Sequence, residues 1–176
     1  MQKTFVLKNL FMFETNLKKF FVSFLIVFII FLLDRFSKLY ILNMYEAEKY
    51  VEIYVNSYLN FHLVWNTGIG FGLFSSESNF YYNLTTILIV IINIIILIMI
   101  IKSRDYKCFF LLIVLGGSFG NLFDRIYYKA VPDFIDIHYE NFHWFVFNVA
   151  DIFISLGILC LIIVEFFFNN LKEKNE

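Results

Sequence analysis

The chain has little of three things that soluble domains normally contain. It has one proline and two cysteines in 176 residues, and only 16% of its residues are charged. A typical soluble domain is about 25% charged and about 45–50% apolar. This chain is 60% hydrophobic with a mean hydropathy of +0.73, and a fold of this length has too little interior to bury that surface. A soluble enzyme and a disordered chain are disfavoured, and we expect one membrane domain over residues 1–176.

The same scarcities limit the chemistry. A net charge of −1 lacks the positive surface that a nucleic-acid binder needs, so no nucleic-acid partner is expected. Cys108 and Cys160 lie in apolar surroundings, without a disulfide pattern or the C-x-x-C spacing of a metal site. The single proline, Pro132, indicates long uninterrupted helices.

Four apolar runs are long enough to cross a membrane. A helix rises about 1.5 Å per residue and the hydrocarbon core is about 30 Å thick, so about 20 residues are required. The runs predict an α-helical integral membrane protein with four transmembrane helices, at approximately 20–42, 83–101, 108–127 and 146–168. The fourth apolar run begins at Trp144. No small-x-small cleavage site follows the first run, so we expect it to be retained as a span.

Basic residues are unevenly distributed between the loops. Most precede the first span, separate the second span from the third, or follow the fourth: Lys3, Lys8, Lys18, Lys19, Lys102, Arg104, Lys107, Lys172 and Lys174. The two opposite loops hold Lys49 and Lys129. By the positive-inside rule, we expect a multi-pass protein with both termini in the cytoplasm and both long loops outside.

The first outer segment, residues 50–72, predicts a small extracytoplasmic β-sheet. Apolar and aromatic residues alternate there with other side chains, at Val51, Ile53, Val55, Phe61, Leu63 and Trp65. Period-two alternation of β-branched and aromatic residues is typical of strands. Ser75 or Ser76 is expected to cap a short helix that leads into the second span.

Four acids map to the same outer boundary of the membrane. Asp34 and Asp124 lie late in outward-going spans, Asp133 lies in the second outer loop, and Asp151 lies early in the inward-going fourth span. Ionisable groups at that depth are costly and usually face a protein interior or a wet cavity. Snorkelling at a helix end is the alternative for any single acid, but it does not explain four acids at one level.

The third and fourth spans carry polar residues at helical spacing. One face of the third span holds Gly117, Gly120, Asn121 and Asp124. Asn148 and Asp151 are three apart and share a face. Close helix packing explains small residues, and Asn adds interhelical hydrogen bonds. Packing alone does not explain why the glycine-bearing face also carries charged groups.

The loop acids suggest a carboxylate pair. Pro132 biases its neighbourhood toward extended geometry, and in a strand Asp133 and Asp136 point to opposite faces, so one of the two is expected to face the cavity. We pair Asp133 with Asp151. Two close carboxyls share one proton, and such a pair can activate water and protonate a carbonyl oxygen. A proton-coupled carrier and a purely structural helix-packing protein remain open as alternatives.

Other chemistries are weaker. Asp136, His138, Glu140 and His143 lack the H-E-x-x-H pattern and suit a solvated loop, so no metal is expected. Ser118 has no His or Lys in helical register to activate it as a nucleophile. Residues 66–72 are glycine-rich but lack the lysine of a phosphate loop. We expect them to form a turn or to contact a substrate.

Five motifs occur in order along nearly the whole chain: Asp34-x-x-x-Lys38, Asn66-x-Gly68-x-x-Phe71-Gly72, Gly117-x-x-Gly120-Asn121-x-x-Asp124-Arg125, Val131-x-Asp133-Phe134 and Phe147-Asn148-x-Ala150-Asp151. Together they resemble the lipoprotein signal peptidases (signal peptidase II), the membrane aspartic proteases of bacteria. The resemblance implies an endopeptidase of the cytoplasmic (inner) membrane with its site near the outer face. It would cut diacylglyceryl-modified prolipoproteins before the lipidated cysteine, in contact with membrane lipid, and globomycin-type inhibitors would block it.

The resemblance also implies residue roles. Asp133 and Asp151 correspond to the catalytic dyad, without a cofactor. Substrate-binding or site-supporting positions are Asn66, Gly68, Asn121, Asp124, Arg125 and Asn148. Asp34 and Lys38 are expected to support the fold or the outer interface. Pro132 and the Ile69-Gly70 pair depart from the family pattern, at the loop that carries Asp133 and at the substrate edge.

Overall fold

Four helices and four strands make up the part of the chain that the computed structural model describes, residues 16–68, 79–103, 105–140 and 142–173. The helices are α1 (Asn16–Glu48), α2 (Asn79–Lys102), α3 (Lys107–Tyr128) and α4 (Val149–Glu173). The strands are β1 (Glu52–Asn56), β2 (Leu59–Asn66), β3 (Val131–Tyr139) and β4 (Phe142–Phe147).

All four helices are long and apolar enough to cross a membrane. The spanning segments are Lys19–Glu48, Tyr82–Lys102, Lys107–Tyr128 and Val149–Phe167. Large apolar side chains such as Phe24, Ile91 and Ile162 are exposed on their outer faces, which is typical of a surface that contacts lipid rather than water. The prediction of a four-span membrane fold is confirmed.

Helix α3 lies at the centre of the bundle and packs against the other three helices. About half of its spanning segment is buried, far more than in the other helices. A Cβ atom added at Gly116 would lie 2.9 Å from Ile30 Cβ, and one at Gly117 would lie 2.6 Å from the Ala150 carbonyl oxygen. The glycines therefore permit α1 and α4 to approach α3 closely, as small residues do in membrane helices.

The strands form one antiparallel sheet in the order β1-β2-β3-β4. The predicted region 50–72 contains β1 and β2, and the sheet continues through two further strands that the sequence pattern did not predict. Ile41, Val51 and Phe134 form a buried cluster that joins the end of α1 to the sheet. The sheet is therefore anchored on the bundle beside the ends of α1 and α3 and the start of α4.

The structure corrects several predicted boundaries. The fourth apolar run begins at Trp144, but Phe142–Phe147 is a strand and α4 starts at Val149, because a short apolar run fits a strand as well as a helix. Helix α1 continues past residue 42 to Glu48. Residues 136–143 were expected in a solvated loop, yet they belong mostly to the β3–β4 hairpin, and Asp136 is buried.

Some predictions lie outside the described residues, namely those on Lys3, Lys8, residues 69–72, Ser75, Ser76, Arg104 and Lys174.

Candidate active site

A cavity of about 230 Å³ lies where β3 meets α3 and α4. Its polar wall consists of Asn66, Ser118, Asn121, Arg125, Asp133, Asn148, Asp151 and Ser155, and its apolar wall of Ile89, Val131 and Ile154. Both predicted catalytic acids and most of the predicted substrate-binding residues therefore line one space, although they come from four different elements and from the residue before α4.

Asp133 is held by two amides. Its side chain is buried in β3; Oδ2 accepts a hydrogen bond from Asn66 Nδ2 at 2.9 Å, and Oδ1 accepts one from Asn148 Nδ2 at 2.5 Å. Burial, reinforced by the nearby charge of Asp151, raises the pKa of the Asp133 carboxyl to about 7, although the two amide hydrogen bonds act in the opposite direction. This carboxyl thus exchanges its proton near neutral pH.

Asp151 lies in the first turn of α4 and forms a reciprocal cap with Asn148. Asn148 Oδ1 accepts a hydrogen bond from the Asp151 backbone N–H, and Asp151 Oδ2 accepts one from the Asn148 backbone N–H, both at 3.2 Å. This arrangement is a capping box, at the positively polarised end of the helix. Since the Asn148 side chain also donates to Asp133, one buried residue bonds to both carboxylates, through its side chain to Asp133 and through its backbone N–H to Asp151. The hydrogen bonds of Asn148 that cap α4 therefore also hold Asp151 at the cavity.

Arg125 reaches from α3 toward the end of β2. Its Nη2 donates to the Gly68 carbonyl oxygen, and Gly68 N–H donates to Asn66 Oδ1 at 2.8 Å. The Arg125 carbonyl oxygen accepts a hydrogen bond from the Tyr82 hydroxyl at 2.6 Å. Among the described residues, the buried Nε and Nη1 of Arg125 have no hydrogen-bond acceptor. Gly68, predicted as a substrate contact, is thus placed between Asn66 and Arg125 and does not line the described cavity wall.

Beside the cavity lies an ion cluster centred on Lys38. Lys38 Nζ donates to Asp34 Oδ2 at 2.9 Å, to Asp124 Oδ2 at 2.7 Å and to Asn121 Oδ1 at 2.9 Å. The side chains of Lys38, Asp34 and Asp124 are completely buried. An ammonium group has three donors, and each of them has an acceptor. Asp124, predicted as a site residue, therefore belongs to this cluster and not to the described cavity wall.

Arg35 completes the cluster. Its Nη1 lies 2.6 Å from Asp124 Oδ1, and its Nη2 lies 3.1 Å from Asp34 Oδ2. Two acids and two bases thus balance in charge, as buried ions must if they are to avoid a large desolvation penalty. Asp34 Oδ1 also accepts a hydrogen bond from the Ala150 backbone N–H at 3.0 Å, so the cluster joins α1, α3 and α4. Sequence reasoning missed Arg35, although a second basic residue beside Asp34 in the span is a visible signal.

Close approach of α1 to α3 is necessary for the cluster. A Cβ atom added at Gly120 would overlap Asp34 Oδ2. Glycine at this position therefore leaves room for the Asp34 carboxylate between the two helices. The next residue, Asn121, accepts a hydrogen bond from Lys38, so both residues of the pair serve the ion cluster as well as helix packing. The structure places Asp34 and Lys38, which were predicted to support the fold or the outer interface, inside the bundle.

Among the described residues that line the cavity, no arrangement typical of a serine nucleophile occurs. Ser118 lines the cavity, but the three histidines of the chain, His62, His138 and His143, all belong to the sheet. Lys38 has its three donors engaged elsewhere. Among the described lining residues, the groups suited to acid–base work are the two carboxylates, and such a pair can activate water with one member and protonate a carbonyl oxygen with the other.

Comparison with known proteins agrees with this geometry. Residues 26–167 match the family model described as Signal peptidase (SPase) II. The chain is 52% identical over 164 residues to the lipoprotein signal peptidase of Pelagibacter ubique, which covers 92% of this chain and 99% of that protein. It is 45% identical over 144 residues to that of Wigglesworthia glossinidia brevipalpis, covering 78% and 90%.

Solved structures show the same fold. Two structures, each described as a bacterial membrane enzyme, superpose with TM-scores of 0.65 and 0.60 at 24% and 25% identity. The first alignment covers 88% of this chain and 93% of that one, and the second covers 82% and 92%.

Proposed function

The chain belongs to the signal peptidase II family of membrane proteases, and from that premise we propose that it removes the signal peptide from lipid-modified prolipoproteins with Asp133 and Asp151 as its catalytic dyad. One observation supports the dyad most strongly: the two carboxylates lie in the wall of one cavity, and Asn148 bonds to both. Cleavage before the diacylglyceryl-cysteine follows from the resemblance of the five motifs.

The chemistry follows from one proton shared by the pair. The ionised carboxylate takes a proton from a water molecule as the water oxygen attacks the scissile carbonyl carbon, while the protonated carboxyl donates to the carbonyl oxygen. The tetrahedral intermediate collapses when the carboxyl that took the water proton donates it to the amide nitrogen, the other carboxylate takes a proton from a hydroxyl of the intermediate, and the C–N bond breaks. The dyad ends with one proton, as it began. At rest the titration belongs to Asp133 and Asp151 together.

The remaining cavity groups fit substrate binding. The N–H groups of Arg125 that have no acceptor among the described residues are suited to donate hydrogen bonds to a substrate carbonyl oxygen or to the oxyanion, a preorganised electrostatic effect. Ile89 of α2 and Ile154 of α4 form an apolar wall. The acyl chains of the lipidated cysteine lie, in this proposal, beside these two residues and out of water, with membrane lipid around the helices.

The charge distribution sets the proposed orientation. Basic residues accumulate at the ends of the helices away from the sheet, as at Lys102 and Lys107, and this supports an orientation with that end in the cytoplasm. The sheet and the dyad then lie near the outer face of the bacterial cytoplasmic membrane. Signal-peptide cleavage sites of exported precursors would reach the cavity from that side.

A reconstitution experiment tests the substrate. The purified protein in lipid vesicles is incubated with a diacylglyceryl-modified precursor, with the unmodified precursor, and with the modified precursor plus a globomycin-type inhibitor. We expect cleavage of the modified precursor alone, before its cysteine, and inhibition by the peptide antibiotic. Equal cleavage of the unmodified precursor would contradict the proposed lipid recognition.

The rival from another class is a proton-coupled carrier that uses the same acids. Transporters of that kind place their sites at helices broken near the bilayer midplane. Within the described residues each of α1 to α4 is continuous, which disfavours a carrier. Proton flux into proteoliposomes, without precursor cleavage, would reverse this preference.

A further inference from the structure

Away from the dyad, the β3–β4 hairpin carries three potential metal ligands. His138 and His143 are direct cross-strand partners, so their side chains project from the same face. Asp136 lies two residues before His138 in β3 and therefore shares that face. One ligand atom from each of the three residues lies within 4.8 Å of the others. The hairpin thus brings together two imidazoles and one carboxylate.

The contacts between Asp136 and the two histidines leave some polar atoms of this cluster without a hydrogen-bond partner. Asp136 Oδ2 lies 2.8 Å from His143 Nδ1 and 3.7 Å from His138 Nδ1, which accounts for one carboxylate oxygen. The other oxygen, Asp136 Oδ1, is buried and has no hydrogen-bond partner among the described residues, and the same holds for His138 Nδ1. Asp136 as a whole is only 5% exposed, so an unpaired oxygen there is costly unless a ligand satisfies it.

A neighbouring strand adds a third unpaired acceptor. Asn60 of β2 is the direct cross-strand partner of Asp136, so its side chain projects from the same face of the sheet. Asn60 Oδ1 is also buried without a hydrogen-bond partner in the described part of the chain. Unpaired acceptors thus come from three residues on two adjacent strands, and a cation or a cation-bound water would satisfy them.

We propose that Asp136, His138 and His143 form a binding site for a divalent transition-metal cation of the Zn²⁺ type. Two imidazoles and one carboxylate match the donor preferences of such ions, whereas Mg²⁺ and Ca²⁺ prefer oxygen ligands alone. Three protein ligands leave a further coordination position for water, which Asn60 is placed to orient. The sequence-based expectation of no metal rested on the missing H-E-x-x-H pattern and on a solvated loop, and the observed hairpin removes the second of these grounds.

The site's position suggests what it does. Asp136 lies three residues after Asp133 in β3, and β4 leads directly into Asn148. A cation that binds residues of both strands would therefore hold together the hairpin whose two ends carry groups of the cavity. The site is separate from the cavity wall, and its existence does not rest on the proposed peptidase reaction.

A binding experiment tests the site directly. The full chain, purified in detergent with a tag free of histidine and stripped with a chelator, is titrated with Zn²⁺ by calorimetry in excess Mg²⁺. We expect saturation at one Zn²⁺ per chain. The variant His143→Ala should weaken binding at least tenfold, and this side chain is 57% exposed, so its loss spares the fold. Asp136→Asn provides a second variant.

The remaining histidine provides the matched control. His62 of β2 is exposed and lies outside the ligand cluster, so His62→Ala should leave the Zn²⁺ affinity unchanged. Substitution with Co²⁺ should give a ligand-field absorption spectrum that His143→Ala abolishes. No saturable binding, displacement by Mg²⁺, or an equal loss of affinity in His62→Ala would each overturn the proposal. Because the readout is binding, its failure leaves the peptidase proposal intact.

Discussion

Asn121 donates a hydrogen bond from Nδ2 to Asp151 Oδ1 at 2.8 Å, and its own Oδ1 accepts one from Lys38 Nζ at 2.9 Å. The ammonium group of Lys38 can only donate, so it turns the amide oxygen of Asn121 toward itself and the amide N–H groups toward Asp151. The ion cluster therefore orients a group of the cavity, although none of its charged side chains lines the described cavity wall.

Replacement of Asn121 by alanine tests this connection. A hydrogen bond to a charged group contributes about 1.5–3 kcal/mol. If that contribution is expressed in the transition state, kcat/KM for precursor cleavage should fall roughly 10- to 100-fold in Asn121→Ala, at about tenfold per 1.36 kcal/mol. Asn83→Ala, the same change at an exposed position of α2, should cleave at the wild-type rate. Equal kcat/KM values for the two variants would contradict the connection.

Lys38→Met tests the cluster as a source of stability. The change leaves the Asp34 and Asp124 carboxylates buried with one cation between them, and removal of one partner from a buried ion pair costs about 3–5 kcal/mol. We expect a clear drop in the free energy of unfolding, measured by denaturation in mixed micelles. Lys102→Met, at an exposed helix end, should have little effect. A wild-type value for Lys38→Met would show that the cluster does not stabilise the fold.

Much of the fold could be predicted from sequence because the relevant signals are local. Apolar runs of sufficient length predicted the spans. The positions of Asp133 and Asp151 relative to those spans predicted that both acids lie near the outer boundary of the membrane. The role of Arg35 and the pairing of β2 with β3 were missed, because both depend on contacts between residues distant in the chain. The span predicted from residue 146 began too early because a short apolar run has no period of its own. The Asn148 cap fixes the start of α4 at Val149.

The pH dependence of cleavage should report the proton of the dyad. The reaction needs one protonated carboxyl, and the pKa of Asp133 is about 7, so the rate should decline as the pH rises through about 7. The Asn66 hydrogen bond stabilises the charged form of Asp133 and lowers its pKa. Asn66→Leu should therefore move the alkaline limb of the profile to higher pH. A shift to lower pH would contradict the assigned direction.

One of the two serines in the cavity wall, Ser118, provides a different test. Ser118 has no imidazole near it, because all three histidines belong to the sheet. Ser118→Ala should therefore retain kcat/KM for cleavage within about threefold, since no transition-state interaction is removed. Ser118→Leu should reduce activity strongly, because the added side chain occupies part of the 230 Å³ cavity. Complete inactivation of Ser118→Ala, in a folded protein, would point to a serine nucleophile.

The most direct test of the whole account is the cleavage rate of a diacylglyceryl-modified precursor by Asp133→Asn and Asp151→Asn in lipid vesicles. Each substitution nearly preserves the size of the side chain and removes its ability to take a proton. Asp105→Asn, at an exposed loop position, serves as the control, and thermal unfolding verifies that all three variants are folded. We predict that both dyad variants lose cleavage while Asp105→Asn keeps the wild-type rate. Wild-type cleavage by either folded dyad variant would contradict the assignment of Asp133 and Asp151 as the catalytic pair.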